Sequence, residues 1–192
     1  MKGTRERHPL PAPLRHPEGV TTPALTPDER TLVFSAWSLG MVRTGAWPVI
    51  AAELLARGLD GDAAAELAGL SSTDSGWVID PLVPAVMAEI GGDPPDQETA
   101  SRSIARAIAR VALRRGSTDT YPAIRALALL APDLDYPGGT IGEAYFLGEW
   151  LDCDCHAGSP ERARAAEFER DLAEQSLEVD DRLLDAVTTS WV

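Results

Sequence analysis

The chain has 192 residues, 44% of them hydrophobic, with 17 basic against 30 acidic groups and a formal net charge of −13. That length supports one hydrophobic core without disulfides or a structural metal, while the charge argues against nucleic acid and anionic membranes and favours a basic protein partner. No run of the roughly 18 apolar residues that a membrane helix needs is present.

Residues 1–25 hold five of the fifteen prolines and show no apolar period, so they read as a flexible proline-rich arm ahead of a helical domain over 26–192. Thr26-Pro27-Asp28-Glu29 is a capping box with proline at the first helical position, and Val33, Phe34, Trp37 and Met41 follow at helical spacing. This first helix is expected to run to Gly45. A second spans Trp47 to Gly58, with Val49, Ile50, Leu54 and Leu55 available to the core, and a third is capped by Asp62 and closed by Gly69. After the polar run Ser71–Gly76, Asp80-Pro81 opens a helix through Leu82 to Ile90.

Asp96 to Gly116 carries the longest helical pattern. On a wheel of about 100° per residue, Gln97, Ile104, Ile108, Val111 and Arg115 form the buried stripe; Arg102, Arg106, Arg110 and Arg114 form a ridge opposite it, with Leu113 exposed among them. Asp96 suits the N-cap and Gly116 the left-handed C′ position. A helix through Ile124, Leu127 and Leu129 stops at Pro132. Thr140 and Glu143 have capping-box spacing before Tyr145, Phe146, Trp150 and Leu151, and Ser159-Pro160-Glu161 opens a helix with Ala165, Phe168 and Leu172 on one face. Glu167, Asp171, Glu174 and Glu178 align on another face of it. A last short helix covers Asp181 to Val187. The fold class is therefore all-α, a single-domain bundle of about seven or eight short helices.

The charge is segregated: +2 over 1–19, −9 over 20–101, +5 over 102–125 and −11 over 126–192. The arginine ridge thus lies between two acidic regions. It has three readings: pairing with the Glu167, Asp171, Glu174 and Glu178 row of the same chain, a solvated face, or a site for an anionic ligand or acidic partner, for which Leu113 would be the apolar anchor.

Chemistry-bearing motifs are sparse. Asp152-Cys153-Asp154-Cys155-His156 contains zinc-type donors, but on a helix Cys153 and Cys155 point about 200° apart, and no second Cys/His pair completes four ligands. An enzyme would have to use Cys153, Cys155 and His156, since Gly-x-Ser-x-Gly, Walker and His-Glu-x-x-His signatures are missing. Ala64 to Val78 resembles helix-turn-helix punctuation, yet Ser71 to Ile90 contains no Arg or Lys to neutralise phosphates. Of the five tryptophans, Trp37 and Trp150 are expected in the core, and Trp77, after a Ser/Thr/Gly stretch, suits an interface anchor. The N-terminal stretch lacks the apolar segment of a secretory signal and two cysteines fit a reducing compartment, so a cytoplasmic setting is expected.

The segments GLDGDAAAELAGL, IDPLVPAVMAEIG, the arginine-bearing helix, LDYPGG and GEWLDCD together resemble a pattern in small, acidic, helical actinobacterial proteins of unassigned function, over most of residues 47–178. The resemblance implies one coherent domain in a bacterial cytoplasm. It carries no catalytic or binding residue. The residues point to a non-catalytic, acidic protein-binding module, immunity- or antitoxin-like or an adaptor, engaging a basic partner through Glu167, Asp171, Glu174, Glu178 and Trp77 without a cofactor. A metal- or small-molecule-binding enzyme with zinc at the Cys/His cluster, and a helix-turn-helix regulator, are the rival readings.

Overall fold

The computed structural model describes residues 25–115, 121–135, 137–151, 160–175, 177–189 and 191. Among them the regular structure is all helical, without a strand: α1 (Pro27–Ser38), a 3-10 turn (Thr44–Ala46), α2 (Trp47–Ala56), α3 (Asp62–Ala68), α4 (Gly76–Ile79), α5 (Val83–Ile90), α6 (Gln97–Arg115), α7 (Pro122–Leu130), α8 (Gly139–Leu151), α9 (Pro160–Glu174) and α10 (Asp181–Thr188). Among the described residues the helical segments read from the sequence all form, and α4 adds a single turn where the sequence has no sustained period. None of these helices is long and apolar enough to cross a membrane.

Helix α6 is the axis. It packs against α1, α7, α8, α9 and α10, while α2, α3 and α5 form a neighbouring layer that α10 ties back to α6 through contacts with α2 and α1. The main core runs from Leu25 to Val187 and includes Ile50, Leu54, Leu67, Ile104, Leu127 and Leu183; a smaller cluster of Ile124, Leu147 and Ala165 fills the space among α7, α8 and α9.

The buried surface of α6 differs from the narrow stripe expected. Ala100, Ser101, Ser103, Ala105, Ala107 and Ala109 are buried together with Ile104, Ile108 and Val111, whereas Gln97 and Arg115 are exposed. Small residues let several helices approach one axis closely, so burial extends around most of the circumference. The Ser101 hydroxyl stays satisfied by donating to the Gln97 carbonyl at 2.6 Å.

Helix ends also moved from their expected places. α1 stops at Ser38, not Gly45, because Gly40 takes φ 65° and the Met41 N–H turns back to the Ala36 carbonyl at 2.9 Å. Gly45 serves a close approach instead: a Cβ there would stand 2.4 Å from the Ser72 carbonyl oxygen. α5 begins at Val83, beyond Asp80-Pro81. Val49 and Leu129 are exposed, not core residues. Trp37 and Trp150 are only half-buried, and the tryptophan in the core is Trp47.

Candidate partner-binding surfaces

Carboxylates organise the helix ends of this acidic protein. Thr26 and Glu29 form the expected reciprocal box at α1, and Asp96 caps α6 by accepting the Thr99 N–H at 2.9 Å. Other N-termini are capped across the fold. Asp62 is the first residue of α3 and not its cap; Glu89 of α5 accepts the N–H groups of Ala63 and Ala64 at 2.7 and 2.9 Å. At α8, Glu98 of α6 replaces the expected Thr140/Glu143 box, accepting the Thr140 N–H at 2.8 Å and its hydroxyl at 2.6 Å. Glu143 pairs with Arg164 of α9 at 2.8 Å. Gly139 permits the α8 arrangement, since it sits at φ 68° and a Cβ would fall 2.2 Å from the Glu98 Oε2.

Glu98 carries a pH dependence. Burial pushes its carboxyl upward, but the hydroxyl and N–H of Thr140, with Arg102, outweigh that and hold it below its ordinary value of 4.5. A carboxylate depressed on folding stabilises the native state above its unfolded pKa and loses that contribution as pH falls through the folded one. Glu98→Gln is expected to cost about 1 kcal/mol at pH 7 after allowance for its exposure. Its urea midpoint should then fall less than wild type's on going from pH 5 to pH 3; parallel acid limbs would show that Glu98 is not linked to folding.

The arginine ridge faces other parts of the chain. Arg106 approaches Asp28 at 3.9 Å; Arg110 reaches Asp181 at 2.8 Å and the Leu177 carbonyl at 2.6 Å; Arg114 contacts Asp181 at 3.0 Å and also Asp185, which Arg115 reaches at 3.2 Å. Their acidic partners thus belong to α1 and α10, not to the α9 row. Arg102 stands apart, paired with Glu98 at 2.8 Å. Each of the four ridge arginines thus has a carboxylate of the same chain within 4 Å. Leu113 is exposed beside the ridge, at 68%.

Of the expected acidic row, Glu167, Asp171 and Glu174 lie exposed on α9, but Glu178 does not continue it, because the helix ends at Glu174. The Glu178 backbone is instead tied to the start of α1, its N–H donating to Asp28 at 2.8 Å and its carbonyl accepting the Thr26 hydroxyl at 2.6 Å. Glu167 and Asp171 border a cleft of about 270 Å³. Phe168, half-buried, and Leu172, buried, supply its apolar interior, and Arg102 and Arg164 line it as well. Both arginines are matched by Glu98 and Glu143, whereas Glu167, Asp171 and Glu174 join no ion pair among the described residues. A wider groove of about 520 Å³ between α7 and α8 includes Leu129, Tyr145 and Leu151, with one cation, Arg125, and one anion, Glu149.

Trp77 lies elsewhere. It is 92% exposed on α4, which packs against the 3-10 turn, whereas α9 packs against α6, α7 and α8. The expected partner-binding set is therefore split between two parts of the surface.

Cys153, Cys155 and His156 lie outside the described residues, as does Gly116, expected at the end of α6. Among the described residues no group of three His, Cys, Asp or Glu side chains is placed to hold a metal ion. The segment that would follow the turn in a helix-turn-helix forms a loop and the four-residue α4, with α5 starting at Val83.

Glu169 and Arg57 escaped the sequence reading. Glu169 looked like one more solvated acid, yet it is buried and accepts the Ile124 N–H at 2.8 Å; its only signal was its place one residue after Phe168 and three before Leu172. Nothing in the local pattern around Arg57 marks its contacts with Glu29 of α1 and Asp180 ahead of α10, beside Glu53 of its own helix. No family model, curated protein or solved structure matches the chain.

Proposed function

We propose that the protein is a non-catalytic binding module whose acidic C-terminal surface engages a basic partner protein, acting as an immunity- or antitoxin-like cover for a cationic protein or as an adaptor. The observation that carries this reading is the charge imbalance of the α9 cleft. Its two arginines are matched by Glu98 and Glu143, while Glu167 and Asp171 stand one turn apart on its rim beside Phe168 and Leu172. A lysine or arginine reaching into such a cleft lays its aliphatic stem on the apolar interior and its charge among the carboxylates. The pairing of Arg106, Arg110 and Arg114 with carboxylates of α1 and α10 supports the same reading, because of the α6 ridge only Arg102, matched by Glu98, lines this cleft. Association would be steered by charge and weakened by salt.

The test is capture from a bacterial cytoplasmic extract on immobilised protein at low and high salt. The expected result is retention at low salt of proteins of high isoelectric point, release at high salt, and loss of retention by the triple variant Glu167→Gln, Asp171→Asn, Glu174→Gln. No protein retained at low salt, or equal retention by the triple variant, refutes the assignment to α9.

A further inference from the structure

The other exposed feature of the fold is built differently. Four of the five tryptophans are engaged: Trp47 is buried, Trp37 packs on Phe34 with ring centroids 6.4 Å apart, Trp150 packs on Phe146 at 6.1 Å, and the Trp191 indole N–H donates to the Met41 carbonyl at 2.7 Å. Trp77 is 92% exposed, next to the half-exposed Val78. Such an apolar area in contact with water is unfavourable for a free monomer.

The turn presenting it is nevertheless held from several sides. Asp74 accepts the Ser71 N–H at 2.7 Å, the hydroxyls of Ser71 and Thr73 lie 2.8 Å apart, and the Asp74 N–H donates to the Ser71 carbonyl at 3.0 Å. Beyond the tryptophan, Ile79 is fully buried and Asp80 accepts the Thr44 hydroxyl at 3.0 Å. The Ser72 carbonyl sits so close to Gly45 that no side chain fits there. The backbone around Trp77 is thus ordered before any contact is made, which reduces the entropy a partner must overcome.

Charge indicates what fits. Trp77 stands three residues after Asp74 and three before Asp80, both exposed, and Ser71 to Ile90 contains no lysine or arginine. An indole face attracts cations through its quadrupole, and a segment that bears two exposed carboxylates and no cation disfavours an anionic or acidic occupant. We propose that the Trp77 turn is a docking point for an arginine or lysine side chain of a basic partner protein, a second contact separate from the α9 cleft. It rests on the preceding reading that the partner is basic, and extends it to a surface outside the acidic C-terminal region. Tryptophan and arginine are the residue types that most often dominate binding energy at interfaces.

The test is fluorescence anisotropy of a labelled nona-arginine peptide titrated with the full chain at low ionic strength, comparing wild type, Trp77→Ala, Trp77→Phe and the α9 triple variant. Trp77→Ala alters no charge, so attraction by net charge alone leaves its affinity at the wild-type value. The expected result is a weakening of about 3–10-fold in Trp77→Ala, with Trp77→Phe closer to wild type. Far-UV circular dichroism, expected unchanged for so exposed a side chain, separates this from a folding defect. Wild-type affinity in Trp77→Ala overturns the proposal, and if the α9 variant is weakened in the same series the preceding reading survives alone. The converse pattern, loss in Trp77→Ala with none in the α9 variant, keeps the Trp77 site and removes the α9 assignment. No binding by wild type overturns both. A concentration-dependent dimer in sedimentation that Trp77→Ala abolishes also overturns the proposal, because a second copy then covers the indole.

Discussion

Arg57→Ala is expected to lower stability by about 3 kcal/mol, a fall in Tm of roughly 6–12 °C for a domain of this size. Arg57 caps the end of α2, and its Nε donates to Glu29 at 3.2 Å, its Nη1 contacts Glu53 at 3.2 Å, and its Nη2 lies against Asp180. The arginine side chain is 12% exposed and that of Glu29 only 7%. Removing the guanidinium leaves the Glu29 carboxylate buried without its cation, and this dominates the cost. The loss stays near the lower end of the range for a broken buried pair, because Glu29 still accepts the N–H groups of Thr26 at 2.9 Å and Asp180 at 3.2 Å. Glu53 and Asp180 are more exposed and contribute little.

One junction thereby holds the start of α1, the end of α2 and the start of α10. Asp180 caps α10 by accepting the Arg182 N–H at 2.8 Å; that bond, acting against burial and helped by the charges of Arg57 and Arg182, holds its carboxyl below the usual range. In Arg57→Ala, hydrogen exchange at the first amides of α10 should accelerate more than exchange in α8. Arg57→Lys, with a single point charge, should fall between wild type and alanine. An unfolding midpoint unchanged in Arg57→Ala would show that Glu29 relaxes into water at little cost.

Glu169→Ala is expected to cost about 2–3 kcal/mol, and Glu169→Gln about 1 or less. Helix α7 begins Tyr121-Pro122-Ala123-Ile124, and its N-cap provides no side-chain hydrogen bond. Pro122 has no N–H to satisfy. The Ile124 N–H is buried, with the Glu169 Oε1 2.8 Å away. Alanine leaves that donor unpaired and removes the negative charge from the positive end of the helix; glutamine keeps a carbonyl in the same place. The gap between the two variants in urea denaturation is the diagnostic quantity. Equal losses would mean that the volume of the side chain matters and its acceptor does not.

Both positions show what limits sequence reading in an acidic protein. The capping box at Thr26 and Glu29 and the Asp96 cap of α6 were legible because donor and acceptor lie three residues apart, and chain connectivity brings them together. Glu89, Glu98 and Glu169 perform the same chemistry over separations of 25, 42 and 45 residues, and locally resemble any solvated glutamate. The expected box of Thr140 and Glu143 failed for that reason: a better-placed carboxylate arrived from α6. The arginine ridge was legible as a ridge, but its partners were not. The row on α9 had the right charge and spacing, whereas Asp181 and Asp185 on the short terminal helix come within hydrogen-bonding reach because α10 folds back over α6 and α2.

The sequence by itself determined the all-α class, the sites of most helices and the segregation of charge along the chain, since each depends on neighbours within a few turns. It also singled out Trp77, because a polar, glycine-bearing stretch without cations is a local property. Tertiary structure decided which side chains are buried around α6, which carboxylates serve as caps, and which charges cancel. These depend on helix-to-helix approach, set by small residues such as Ala105 and Ala109 that carry no strong pattern of their own, and on long-range pairings that leave no periodic trace. The acids on α9 were legible as a row, but that Glu167, Asp171 and Glu174 join none of the ion pairs among the described residues emerges only once the whole chain is assembled.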